Sequence, residues 1–229
     1  VFATRTHAAA IIVGVLALAA GCNGDDEEEP VPDAPPPETL PGAWAGVFPC
    51  DNCPGIGTTL WLRADGRYLM EQQYPPGEND GEDAFTAHGL GRWHWEAEAR
   101  QLVLAGRGPE RVFERPDPDS LLMRSDSPLE HRLERNGSAG DFPVTIRMTG
   151  NARQAGEGFA FTECLTGYTV PMEKGGDYSR FARQFPNVVS RGADAPVELD
   201  GRFTWGADGA PVSLRVVRLV TIRASGGCA

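Results

Sequence analysis

The chain is poor in most of what an enzyme or a nucleic-acid binder needs. It holds 4 His and 5 Cys in 229 residues, and acidic residues outnumber basic ones 32 to 21. There is no His-Glu-x-x-His, no Gly-x-Ser-x-Gly and no phosphate loop, so zinc protease, serine hydrolase and nucleotide chemistry lose their usual signatures. "GLGRW" resembles a dinucleotide fingerprint only superficially, since no helical pattern follows it. Acidic pairs such as Glu96 and Glu98 read as water-facing side chains, not an acid and a base. With no basic patch, nucleic acid is a poor partner. No internal repeat is visible. Beyond the first twenty residues no apolar run is long enough to cross a bilayer.

What is present begins with a compartment. Arg5 and His7 precede a 13-residue apolar run, Ala8 to Ala20, too short for a transmembrane helix and right for a signal-peptide core. Val1 reads as an alternative start. The run stops at Ala19-Ala20-Gly21-Cys22, which resembles a lipobox with its Leu displaced by one place to Leu18. We therefore expect residues 1–21 to be a signal peptide and Cys22 to be lipidated. Residues 22–40 carry seven acidic side chains, many prolines and no basic residue, a composition that stays extended. Asn23, following the cysteine in place of Asp, favours the outer membrane. The expected mature protein is soluble and tethered to that membrane. The remaining residues, 41–229, hold 25 acidic and 20 basic side chains, a mildly acidic fold.

From Trp44 to Arg135, short apolar segments recur about every ten residues between turn signals, the pattern of an antiparallel barrel or sandwich. "TTLWLRADGRYLMEQQY" predicts a hairpin turning at Asp65-Gly66. The two-residue period of "FTAHGLGRWHW" sets Phe85, Ala87, Gly89, Gly91, Trp93 and Trp95 on one face. Residues 75–83 form a polar loop of the kind that is usually mobile. The Gly, Ser and Pro cluster of residues 136–143 marks a boundary, giving expected domains at 41–136 and 143–229. The second should hold five strands, with one helix between the third and fourth over "DYSRFARQF". Asp177 should cap that helix, Tyr178, Phe181, Ala182 and Phe185 share its stripe, and Pro186 follows its end. The fold class is mainly all-β: a small antiparallel barrel followed by an OB-like domain.

"GVFPCDNCPGIGTTLWLRADGRYLMEQQY", then "GLGRWHW" and "QLVL", resembles the N-terminal domain of the NlpE lipoproteins, a copper-homeostasis and envelope-stress family. The matching positions are Cys50, Cys53, Pro54, Gly55 and Ile56, then Thr58, Leu60 and Leu62, then Asp65, Gly66 and Tyr68. The resemblance covers about residues 41 to 135. It implies a lipocalin-like barrel on an outer-membrane lipid anchor, with roles in copper tolerance and in signalling the state of the envelope. The second half sits where the family has its OB-like domain and shares only its two cysteines.

Three roles compete for Cys50 and Cys53. A redox catalyst of the Cys-x-x-Cys type places its first thiol at a helix N-terminus, but here the pair leads into a strand and Asp51 opposes a thiolate. A metal clamp suits Cu(I), yet two ligands are an incomplete zinc site. Cys164 and Cys228 have no local partner. His88 and His94 lie about 20 Å apart along one strand face, so they cannot share an ion, although one of them could approach Cys50 and Cys53 across the sheet. A disulfide suits an oxidising envelope and an even count of four non-lipidated cysteines. Locality pairs Cys50 with Cys53 and leaves Cys164 for Cys228. The loop-entropy relation gives about 2 kcal/mol for the short loop and about 4 kcal/mol for the long one, and the short one is the more easily strained and reduced.

The function this supports is a non-enzymatic outer-membrane lipoprotein that senses copper or envelope state and signals to a periplasmic or surface partner. No cofactor is required; Cu(I) at reduced Cys50 and Cys53 rests on the resemblance. The alternative is a binding or structural module using the barrel mouth for a hydrophobic ligand or protein.

Overall fold

The computed structural model describes residues 37, 39–51, 53–76, 83–137, 144–190, 192–207 and 209–228. The expected signal segment, Cys22, nearly all of the tether and most of the 75–83 loop lie outside them. No described helix is long and apolar enough to cross a membrane.

Eight antiparallel strands form an up-and-down closed barrel. They are β1 (Gly42–Phe48), β2 (Ile56–Leu62), β3 (Arg67–Tyr74), β4 (Phe85–Glu96), β5 (Gln101–Gly106), β6 (Arg111–Asp117), β7 (Ser120–Met123) and β8 (His131–Arg135). The ring closes where Trp44 and Ala45 of β1 pair with Arg135 and Glu134 of β8. An eight-stranded barrel is just wide enough for its own side chains, and these fill it: Trp44, Leu60, Leu62, Leu102, Phe113, Leu121 and Leu133 are all fully buried. Each such side chain contributes about 1.5–3 kcal/mol on leaving water. Leu40, the last residue of the expected tether, is also fully buried, and its carbonyl accepts the Trp44 indole N–H at 3.2 Å. A single Leu in an acidic, Pro-rich stretch has no periodicity to betray it.

The β2–β3 turn forms at Asp65-Gly66, where Gly66 takes a positive φ of 76°, the left-handed conformation that a tight hairpin needs and glycine accepts without cost. In β4, Gly91, Trp93 and Trp95 face inward, but Phe85 is 53% exposed. The strand overruns the barrel there, and Phe85 stacks on Tyr74 with ring centroids 4.5 Å apart.

The second half is a five-stranded sheet in the order β11-β10-β9-β12-β13. Its strands are β9 (Ile146–Ala155), β10 (Gly158–Glu163), β11 (Thr169–Pro171), β12 (Ala195–Trp205) and β13 (Pro211–Ile222), with α1 (Tyr178–Val188) between β11 and β12. The sheet curls until Met172, just past β11, bridges Leu214 of β13 in parallel, so the two outer strands meet as in an OB-like half-barrel. Tyr178, Phe181 and Phe185 of α1 are buried in it. Two local expectations change. Pro186 lies inside α1, not beyond it; its fixed φ is tolerated within the final turn, so the helix continues to Val188. Asp177 makes no side-chain cap. Its carboxylate instead accepts the Leu219 amide at 2.9 Å, satisfying an outer-edge donor of β13.

Candidate functional site

Cys50 and Cys53 sit on the β1–β2 connection and are bonded to each other, with Cα atoms 5.6 Å apart. The segment is a turn between strands, and Gly55 follows at φ 132°, where a Cβ would also strike the Val47 Cγ1 at 2.3 Å. Without a helix N-terminus, neither sulfur gains the field that activates a redox cysteine. The Cu(I) role implied by the resemblance needs thiolates, which this pair offers only when reduced. It would then supply two soft sulfurs, a donor type that suits Cu(I). Among the described residues no group of three His, Cys, Asp or Glu side chains is placed to hold a metal ion.

Cys164, directly after β10, is bonded to Cys228, six residues beyond β13, with Cα atoms 5.1 Å apart. This bond closes 64 residues of sequence and fastens the segment after β13 to the core of the sheet. Cys164 and Cys228 help line a cleft of about 330 Å³ between sheet and barrel. The cleft is also lined by His88 and Leu90 of β4, by Arg107, and by Glu163 beside Cys164. Of the two histidines considered for Cys50 and Cys53, His88 is therefore found with the other cysteine pair, and its Nε2 meets the Glu71 carboxylate at 3.1 Å. His94 pairs instead with Glu96 at 3.7 Å.

The same cleft borders an extensive contact between the two halves. Leu69 and Leu90 point outward from the barrel, yet both are buried in the sheet's core cluster. Three barrel arginines reach the sheet. Arg67 Nε donates to the Thr166 carbonyl at 3.0 Å and its guanidinium lies 5.2 Å from the Tyr168 ring centre. The Arg63 guanidinium covers the Trp205 ring at 4.4 Å, a cation–π arrangement. Arg92 packs so closely on Gly167 that a Cβ there would lie 2.5 Å from its Nη2. The Tyr168 hydroxyl donates to Asp65 Oδ2 at 2.6 Å, and burial, reinforced by that carboxylate, raises the phenol's pKa well above its ordinary value.

Sequence reading found the four cysteines but not this contact, because Thr166, Tyr168, Arg63 and Arg92 carry no motif. A signal existed in "RYLME", where three consecutive apolar positions of β3 are buried: a strand with both faces covered loses its alternation.

Residues 44–130, from within β1 to the approach of β8, match the family of the NlpE N-terminal domain. The barrel is similar to the NlpE N-terminal domain. Lipoprotein NlpE of Escherichia coli (strain K12) is 29% identical over 194 residues, covering 80% of this chain and 78% of that protein. Two solved structures are also similar. The Cpx pathway activator NlpE from Escherichia coli aligns over 82% of this chain and 97% of its own, at 22% identity and a TM-score of 0.34. A putative lipoprotein from Shewanella oneidensis aligns over 42% and 89%, at 28% identity and a TM-score of 0.34. In this NlpE-like domain the Cys-x-x-Cys turn is a disulfide-closed hairpin connection over a packed barrel.

Proposed function

We propose that this protein is an outer-membrane lipoprotein, anchored through Cys22, that reports envelope stress to a signalling partner without catalysing a reaction. The observation that carries the reading is a barrel similar to the NlpE N-terminal domain, packed on a sheet whose long disulfide, Cys164–Cys228, borders the cleft between them. The relative in Escherichia coli is a lipoprotein, which supports anchoring, and that NlpE is a Cpx pathway activator, which supports signalling. A disulfide that closes so long a loop contributes much of a small domain's stability, and both its cysteines line a cleft. Failure of disulfide formation in the envelope would therefore loosen the sheet and change the surface offered to a partner. The filled barrel interior favours this over a hydrophobic ligand held in the barrel.

An envelope-stress reporter in cells tests it. Output should rise when wild-type cells are treated with a thiol reductant. It should stand high without treatment in a Cys164→Ser/Cys228→Ser strain, and it should change when Cys22→Ala removes the anchor. Output blind to all three changes overturns the reading.

The copper role belongs to the other cysteine pair. Reduced Cys50 and Cys53 would bind Cu(I) through two thiolates, and Cu(I) titration of reduced protein should show one site that disappears in Cys50→Ser/Cys53→Ser. Equal weak uptake by both proteins ends that reading.

A further inference from the structure

Two charged groups that line the cleft between sheet and barrel have no opposite charge beside them. Arg147 is matched by Glu198 and Asp200, and His88 faces the Glu71 carboxylate at 3.1 Å. Arg107 and Glu163, in the same lining, meet only neutral partners. Among the described residues, Arg107 bonds to the Thr149 hydroxyl at 3.1 Å and makes no ion pair. The Glu163 carboxylate accepts only from the amide and the hydroxyl of Thr166. We propose that this cleft binds a small zwitterion, an amino acid or a dipeptide, whose carboxylate meets Arg107 and whose ammonium meets Glu163.

The two ends of such a ligand find different surroundings. Arg107 is exposed, and its bond to Thr149 engages one nitrogen. The other donors of its guanidinium fork suit a carboxylate, which they can hold by two parallel bonds. Glu163 is 1% exposed. One of its oxygens accepts both Thr166 donors at 2.6 Å, which fixes the orientation of the carboxylate. The other, Oε1, is buried with no hydrogen-bond partner. A buried carboxylate oxygen without a donor is costly. Water would supply the donor alone, whereas an ammonium supplies the donor and the opposite charge. A simple cation is repelled by Arg107 and a simple anion by Glu163, so each unmatched group selects against a ligand that lacks the other charge.

The rest of the cleft suits the body of the ligand. Leu90 and Leu165 add apolar surface to the lining, where an aliphatic side chain leaves water favourably and where low dielectric strengthens both ion pairs. A volume of about 330 Å³ lies at the small end of the range for ligand sites, which matches an amino acid or a dipeptide. Arg107 directly follows β5 of the barrel and Glu163 ends β10 of the sheet. A bound zwitterion would therefore join the two halves through an ion pair at each end. The site stands whether or not the signalling reading holds.

Isothermal titration of the full chain with leucine and with alanyl-alanine tests it. Isoamylamine and isocaproate serve as leucine without its carboxylate and without its ammonium. Saturable binding of a zwitterion is expected, with each singly charged analogue about tenfold weaker or worse, the discrimination that a lost charge-assisted bond gives. Arg107→Met should weaken leucine by a similar factor and leave isoamylamine unchanged. Glu163→Gln, which keeps an acceptor for Thr166, should weaken leucine and leave isocaproate unchanged. Circular dichroism would show both variants folded, and Arg107→Met, at an exposed position, decides the matter if Glu163→Gln is not. No saturable heat from either zwitterion overturns the proposal. So does an analogue that binds as tightly as leucine, or leucine binding that survives both substitutions.

Discussion

The hydroxyl of Tyr168 and the carboxylate of Asp65 meet at 2.6 Å although 103 residues of chain separate them. Asp65 belongs to the hairpin turn that the resemblance to the NlpE domain singled out, and Tyr168 follows the second half's first cysteine by four positions. The bond thus ties the recognisable part of the barrel to the disulfide-bearing part of the sheet.

A bond from a neutral donor to a partly exposed carboxylate should be worth about 1.5 kcal/mol, the lower end for charged partners. Tyr168→Phe and Asp65→Asn should each lower stability, and the double variant should lose less than their sum. The coupling energy of a double-mutant cycle in urea should be near that value. Strict additivity would mean that the contact contributes nothing to the fold.

The two disulfides should differ in weight. Loop entropy assigns about 4 kcal/mol to Cys164–Cys228 and about 2 kcal/mol to Cys50–Cys53. Cys164→Ser/Cys228→Ser should therefore lower the denaturation midpoint of the sheet markedly, while Cys50→Ser/Cys53→Ser leaves the barrel folded with a smaller loss. Following Trp44 and Trp93 for the barrel and Trp205 for the sheet would separate the effects. Equal losses from both pairs would contradict the loop-length argument.

The barrel was the more legible half because its information is local. Turn residues at Asp65-Gly66 and inward apolar residues such as Leu60, Leu62, Trp93 and Trp95 sit at intervals that a two-residue period exposes. The contact between the halves hides from that reading. Leu69 and Leu90 occupy the face that alternation assigns to solvent, and only the sheet's presence buries them. Asp177 precedes α1 as a cap should, yet tertiary structure offers its carboxylate the Leu219 amide, which propensity cannot foresee. The cysteines could be named from sequence. That one pair would share a cleft with His88 and Glu163 depended on how the two halves pack.

Gly150 in β9 tests the tightness of packing inside the sheet, where β9 pairs with β10. A Cβ there would lie 2.3 Å from the Thr162 carbonyl oxygen and 2.4 Å from the Phe161 ring. Phe161 is fully buried and the carbonyl is backbone, so neither can yield cheaply. Gly150→Ala should cost about 1–3 kcal/mol, the usual range for overpacking. Gly156→Ala serves for comparison: among the described residues no atom lies within 4 Å of its Cβ, and its positive φ of 59° opposes the change, so its loss should be the smaller. Equal losses at the two sites would show that β9 shifts to make room.

Acid should weaken the sheet through Asp200. Its carboxylate accepts from Arg147 and, at 2.6 Å, from Arg218, and the bond to Arg147, more than any other influence, holds its pKa below the ordinary value. A carboxylate depressed in the folded state binds protons more readily when the chain unfolds. Its stabilising contribution is complete above the unfolded pKa of about 4 and is lost as pH falls through the lower folded value. Asp200→Asn should therefore destabilise the sheet at pH 7, and its deficit against wild type should shrink steadily below about pH 4. Urea midpoints measured from pH 7 to pH 2.5 on both proteins would show it. A gap that stays constant through the acid range would mean that the Arg147–Asp200–Arg218 cluster contributes nothing to the acid sensitivity of the fold.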